Sequence, residues 1–132
     1  MAVTTLVGEG EIRAAVGRHL GHSDWIDISA ETFVAYASAT GDDHGTYLAV
    51  GLSNLFLPQI VEVSGFSLGI NYGTDAVRFP NELHVGMRVR GAASLDDVVD
   101  VKGGIQTRML IVIESADGAP ICTIESISRW LM

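Results

Sequence analysis

The chain has 132 residues, 48% apolar and 18% charged, which is enough for one domain with its own core. Its net charge is −8, from 8 basic against 16 acidic residues, and no Lys/Arg cluster occurs. Binding to nucleic acid is therefore not expected, because that affinity comes largely from neutralised phosphates. No apolar run is long enough to cross a bilayer, and Met1 to Gly10 lacks the basic start and apolar stretch of a signal peptide. The apolar share exceeds that of an ordinary soluble domain and points to extra burial between subunits. A cytoplasmic location is expected. The one cysteine, Cys122, excludes an internal disulfide, and its neighbours Ile121 and Ile124 suit a buried structural thiol.

Residues 1–8 carry little pattern and are expected to form a loose arm. Glu9 to Leu20 reads as a helix, with Ile12, Val16 and Leu20 on one face and Gly21 as a stop. Trp25, Ile26 and Ile28 form a short extended piece. Ser29 then caps a second helix whose apolar face is Phe33, Tyr36 and Ala37, and Gly41 ends it. From Thr46 to Val63 apolar residues run nearly all round, which predicts a helix buried on every side with a kink or break near Leu57, ahead of Pro58.

After Gly65 the period changes to two. Phe66 to Gly73, Ala76 to Phe79, Met87 to Leu95, Ile105 to Glu114 and Ile121 to Leu131 read as strands, with turns at Gly103-Gly104 and Asp117-Gly118. The chain is thus α+β. No dinucleotide fingerprint or phosphate loop is present, so no cofactor is expected.

Several stretches resemble the MaoC-like dehydratases, also called (R)-specific enoyl-CoA hydratases, from about Ser23 onward. They are Phe33-Val-Ala-Tyr-Ala-Ser-Ala-Thr-Gly-Asp42, Ile70-Asn71-Tyr72-Gly73 with Val77-Arg78-Phe79-Pro80, and Val85-Gly86-Met87-Arg88-Val89. The resemblance implies one hotdog domain, a curved antiparallel sheet of about five strands around a long central apolar helix. It also implies reversible hydration of enoyl thioesters held on coenzyme A or an acyl carrier protein, and a homodimer. Within it Asp42 matches the family's catalytic aspartate and His44 is the candidate histidine. Gly45 and Thr46 fall where backbone donors hold the thioester oxygen. Ser53, Asn54, Asn71 and Tyr72 are candidates for the acyl pocket. Alternatively, Ser53 and Asn54 cap the kink ahead of Pro58, and Asn71-Tyr72-Gly73 sets a bend.

The departure from the family lies at its centre. The family pattern places roughly twenty residues, including the catalytic His, between the Asp and the central helix. Here Gly41-Asp42-Asp43 leads directly to His44-Gly45-Thr46. His44 either stands in for the catalytic His or matches a histidine just before the helix. The second alignment fits the helix spacing better. Asp42-Asp43-His44 also reads as an ordinary solvated helix start with Asp43 as cap, and no second cluster makes these residues a metal site. An acid/base pair of Asp42 and His44 is expected for a hydratase. A thioesterase or a small-molecule biosynthetic enzyme on the same fold would bind something else, and a non-catalytic subunit or binding module would need neither residue.

Overall fold

The computed structural model describes residues 2–132. In chain order the elements are β1 (Thr4–Val7), α1 (Gly8–Ala14), β2 (His19–His22), β3 (Ile26–Asp27), α2 (Ala30–Thr40) and α3 (Thr46–Ile60). They continue with β4 (Val61–Ser64), β5 (Leu68–Arg78), β6 (Arg88–Val101), β7 (Gly104–Ser115) and β8 (Pro120–Leu131). Strands β6, β7 and β8 form two successive antiparallel hairpins, and β5 pairs antiparallel with β8. The short β2 and β3 pair with β6 at the other side, giving the order β2-β6-β7-β8-β5.

Alternation makes this sheet two-faced. Along β7, Ile105, Thr107, Met109, Ile111 and Ile113 are buried, while Gln106, Arg108, Leu110, Val112 and Glu114 face the other way. Helix α3 lies on the buried face through Ala49, Leu52, Phe56 and Ile60, spaced three and four apart. A Cβ added to Gly91 of β6 would fall 2.8 Å from the Phe56 Cβ, so only glycine lets helix and sheet approach this closely. One antiparallel sheet wrapped on one central helix is the hotdog arrangement.

Three expectations at the level of elements are corrected. Residues 4–7 are not a loose arm: β1 pairs in parallel with β4, buries Leu6, and the Thr4 hydroxyl donates to the Leu20 carbonyl at 2.6 Å. The helix expected over Glu9 to Leu20 stops at Ala14, because Gly17 takes a φ of +85°. Ile12 and Ala15 are buried, but Val16 faces solvent and Leu20 is buried from strand β2 instead. Helix α3 is not covered on every side, since Tyr47 is 66% and Leu55 51% exposed. Nor does it break at Leu57: it runs past Pro58 to Ile60, and the Val61 N–H donates to the Leu57 carbonyl. Asn54, whose carbonyl loses its donor at Pro58, is exposed, so water can replace it.

The extended pieces on either side of Thr74 form one strand, β5, with register shifts between Asn71 and Gly73 and between Thr74 and Val77. Ser29 does cap α2, accepting from the Thr32 N–H at 3.1 Å, and Gly41 closes it at a φ of +76°.

Candidate active site

The start of α3 is built by a short segment with little freedom. Gly45 precedes the helix at a φ of +70°, and a Cβ there would meet the Phe33 ring at 2.7 Å. Glycine is needed on both counts. Asp42, rather than Asp43, serves the helix start. Its carboxylate accepts from the Tyr36 hydroxyl at 2.5 Å, the His44 N–H at 3.0 Å and the Tyr47 N–H at 3.3 Å. Of these, the Tyr47 N–H is a donor that the helix N-terminus would otherwise leave unpaired.

The same contacts set its titration. The Tyr36 hydroxyl first, and then the His44 N–H, hold the Asp42 carboxyl below the usual carboxylate range. Its stabilising contribution is therefore complete above the ordinary carboxylate value, about pH 4. That contribution is lost as pH falls through the lowered value. Asp42→Asn is expected to lower the urea midpoint most at neutral pH, and the gap from the unmodified protein should close as the pH approaches the acid limit. A gap that stays constant down the acid limb would show that the carboxylate is not held in this way.

Asp42 and His44 are brought together only through the His44 backbone. The His44 imidazole turns outward, 71% exposed, with its Nε2 3.4 Å from an Asp43 carboxylate oxygen. His44, Gly45 and Thr46 line one wall of a cavity of about 210 Å³, closed on the other side by Phe79, Asn81 and Leu83. The Gly45 N–H meets no acceptor among the described residues. An open hollow of about 400 Å³ borders Tyr36, Asp42, Thr46 and Tyr47.

A second cavity, about 280 Å³, lies between the C-terminal half of α3 and the buried face of the sheet. Ser53, Asn54 and Asn71 line it, as expected for an acyl pocket. The Ser53 hydroxyl is committed to its own helix, donating to the Val50 carbonyl at 2.7 Å. Tyr72 does not line it: the ring lies under the Arg129 guanidinium at 3.8 Å, on the opposite face of β5, because alternation sends neighbours of Asn71 away from the helix. The sequence reading missed Ser126, Ser128 and Trp130, which complete the wall from β8. The signal was present, since two serines interrupt an inward-facing set that otherwise holds Cys122, Ile124 and Trp130.

Other side chains able to carry chemistry lie outside this arrangement. Burial pushes the Cys122 thiol up to about 11, so it is no nucleophile at neutral pH. Arg90 is held by Glu114 at 2.9 Å and stacks over Trp25, away from both cavities. His19 and His84 are exposed and His22 is half-buried. Among the described residues no three His, Cys, Asp or Glu side chains gather as a metal site, and no helix is long and apolar enough to cross a membrane.

No family model matches the sequence. A 3-hydroxyacyl-thioester dehydratase of Mycobacterium tuberculosis is 36% identical, and the match covers 96% of this chain and 98% of the relative. Among solved structures, a monoamine oxidase regulatory protein from Archaeoglobus fulgius superposes with a TM-score of 0.73 at 12% identity, covering 99% of this chain and 98% of that one. A MaoC-like dehydratase from Rhodospirillum rubrum gives 0.66 at 14%, covering 89% of this chain and 92% of that one. The chain belongs to the MaoC-like 3-hydroxyacyl-thioester dehydratase family. The mycobacterial match spans 148 positions, whereas 96% of this chain is about 127 residues, so about 21 positions have no counterpart here. That deficit has the size of the segment the family pattern places between Asp42 and α3.

Proposed function

We propose that this chain adds water reversibly across the 2,3-double bond of an enoyl thioester carried by coenzyme A or an acyl carrier protein. The observation that carries the reading is the 36% identity to a dehydratase over nearly the whole of both chains. Two cavities support it, one at the start of the central helix and one along its apolar flank.

In this reading the thioester oxygen lies at the start of α3, where the unpaired Gly45 N–H and the helix dipole favour developing negative charge. Hydration moves a water oxygen to the β-carbon and a proton to the α-carbon. Of the two proton-carrying side chains lining that cavity, His44 and Glu82, we assign the acid/base role to His44, the candidate the family resemblance supplies. Asp42 positions it, since its carboxylate fixes the backbone on both sides of the Gly45 turn. Thioesters of coenzyme A or an acyl carrier protein as substrates support a cytoplasmic location.

Among the described residues the edge strand β5 pairs only with β8, and it exposes Leu68, Ile70 and Tyr72, a surface that invites a second copy. We assign it to a homodimer. A monodisperse monomer by light scattering at micromolar concentration would contradict this.

A second reading is favoured by one observation: Asp42 spends its oxygens on Tyr36 and backbone donors, and the His44 ring stands apart from it. A chain so arranged would serve as the non-catalytic, ligand-holding subunit of a larger assembly. Crotonyl-CoA hydration, followed by loss of enoyl absorbance, separates the two. Turnover is expected. Its absence in a protein that still binds the thioester would select the second reading.

A further inference from the structure

The buried face of the sheet is apolar almost everywhere, and the exceptions cluster. On β8 the inward residues run Ile124, Ser126, Ser128 and Trp130. Ser126 pairs across to Met109 and Ser128 to Thr107, while on its other side Ser128 faces Asn71 of β5. Two hydroxyls and an amide thus meet on three adjoining positions, in a cavity whose remaining walls include Leu57, Val61, Met109 and Ile111.

Two of the polar side chains beside them are satisfied within the protein: Ser53 by the Val50 carbonyl, and Thr107 by the Trp130 indole N–H at 3.0 Å, whereas Asn54 across the cavity on α3 is exposed. The side chains of Asn71, Ser126 and Ser128 make no hydrogen bond to protein among the described residues. Ser126 and Ser128 are half-buried and Asn71 is exposed, and none of their polar atoms is wholly shut from solvent, so water satisfies them until a chain fills the cavity. Trp130 is meanwhile held firmly, since the Thr107 bond fixes its indole and Gly69 leaves room for it, where a Cβ would come within 2.6 Å of the ring. The cavity has one rigid apolar wall and one set of free donors and acceptors. Its volume of about 280 Å³ equals roughly nine waters at ~30 Å³ each, room for a medium-length chain.

We propose that this cavity takes an acyl chain bearing an oxygen function, a hydroxyl or keto group, which Ser126, Ser128 and Asn71 hydrogen-bond. A plain alkyl chain would leave those groups unpaired and bind less well. The proposal rests on the acyl-thioester reading above but concerns binding alone, so the two can fail separately.

The test uses saturated thioesters, which cannot be hydrated. In a Trp25→Phe background Trp130 is the sole tryptophan, and its fluorescence reports the cavity. Octanoyl-CoA would be titrated beside hydroxyoctanoyl-CoA isomers carrying the hydroxyl at each carbon of the distal half. At least one isomer is expected to bind about five- to tenfold more tightly than octanoyl-CoA. The Ser126→Ala/Ser128→Ala variant should lose that preference while binding octanoyl-CoA at least as well. Equal affinities throughout, a preference that survives the double substitution, or no quenching by any thioester would each overturn the proposal. Crotonyl-CoA hydration with no such preference would overturn this inference alone. A preference without hydration would retain it and remove only the hydratase reading.

Discussion

Phe56→Ala is expected to destabilise the fold by about 3–5 kcal/mol, the largest effect of any single truncation in this chain. The Phe56 ring is wholly buried at the centre of α3, where the helix comes closest to the sheet. The neighbouring wall cannot collapse into the void. Gly91 has no side chain to move, and its backbone is fixed by pairing with Ile113 on β7 and by the Ser23 hydroxyl at 2.8 Å. For a domain of this size the loss corresponds to a fall of roughly 10 °C or more in melting temperature. Urea unfolding of the two proteins measures it. A cost below about 1 kcal/mol would mean that the helix does not seat on Gly91 as described.

The second large effect is on catalysis. His44→Ala is expected to lower kcat/KM on crotonyl-CoA by about 10²- to 10⁴-fold, the usual contribution of a positioned acid or base. Melting temperature should barely move, because the imidazole is mostly in solvent and its charge partner Asp43 is also exposed. Asp42→Asn should behave differently, losing activity and stability together, since Asp42 holds Tyr36 and two backbone donors at once. Tyr36→Phe, which removes the largest of those contacts, should reproduce the stability loss in part and leave the pH profile of kcat/KM in place. Activity indifferent to His44 would move the acid/base role to another group.

Much of the architecture was legible because period and turn chemistry agree along the C-terminal half. The alternation of Ile105 to Glu114 and the Asp117-Gly118 turn specify a hairpin without further help. The N-terminal part was harder, for a physical reason. Leu20 continues a helical spacing from Ile12, yet Gly17 turns the chain and Leu20 is buried by strands that lie far along the sequence. Local pattern carries no trace of that partner. The strand over Thr4 to Val7 was invisible for the same reason, being defined by β4.

At the site, Asp42, His44, Gly45, Asn71 and the pair Ser53-Asn54 could be picked from the resemblance; all but Asp42 line the 210 Å³ or the 280 Å³ cavity, and Asp42 borders the open hollow of about 400 Å³. What Asp42 does could not be read in advance. Its tie to the Tyr36 hydroxyl reaches back across the end of α2 and depends on how Gly41 turns the chain. The Tyr72 side chain went to the opposite face because strand neighbours of a cavity residue point away from it.

The pairing of the first strands also bears on how the chain comes to fold as it is made. Thr4 waits for Val61, and His19 for Ser94, whereas β6, β7 and β8 close onto one another through short turns. Long-range closure is slow relative to such hairpins. During synthesis the segment holding α2 and the start of α3 therefore leaves the ribosome well before the sheet it leans on exists. The C-terminal meander is the platform, and the earlier half docks onto it late. A nascent chain stalled before β8 would expose the apolar flank of α3, the surface a chaperone would be expected to hold.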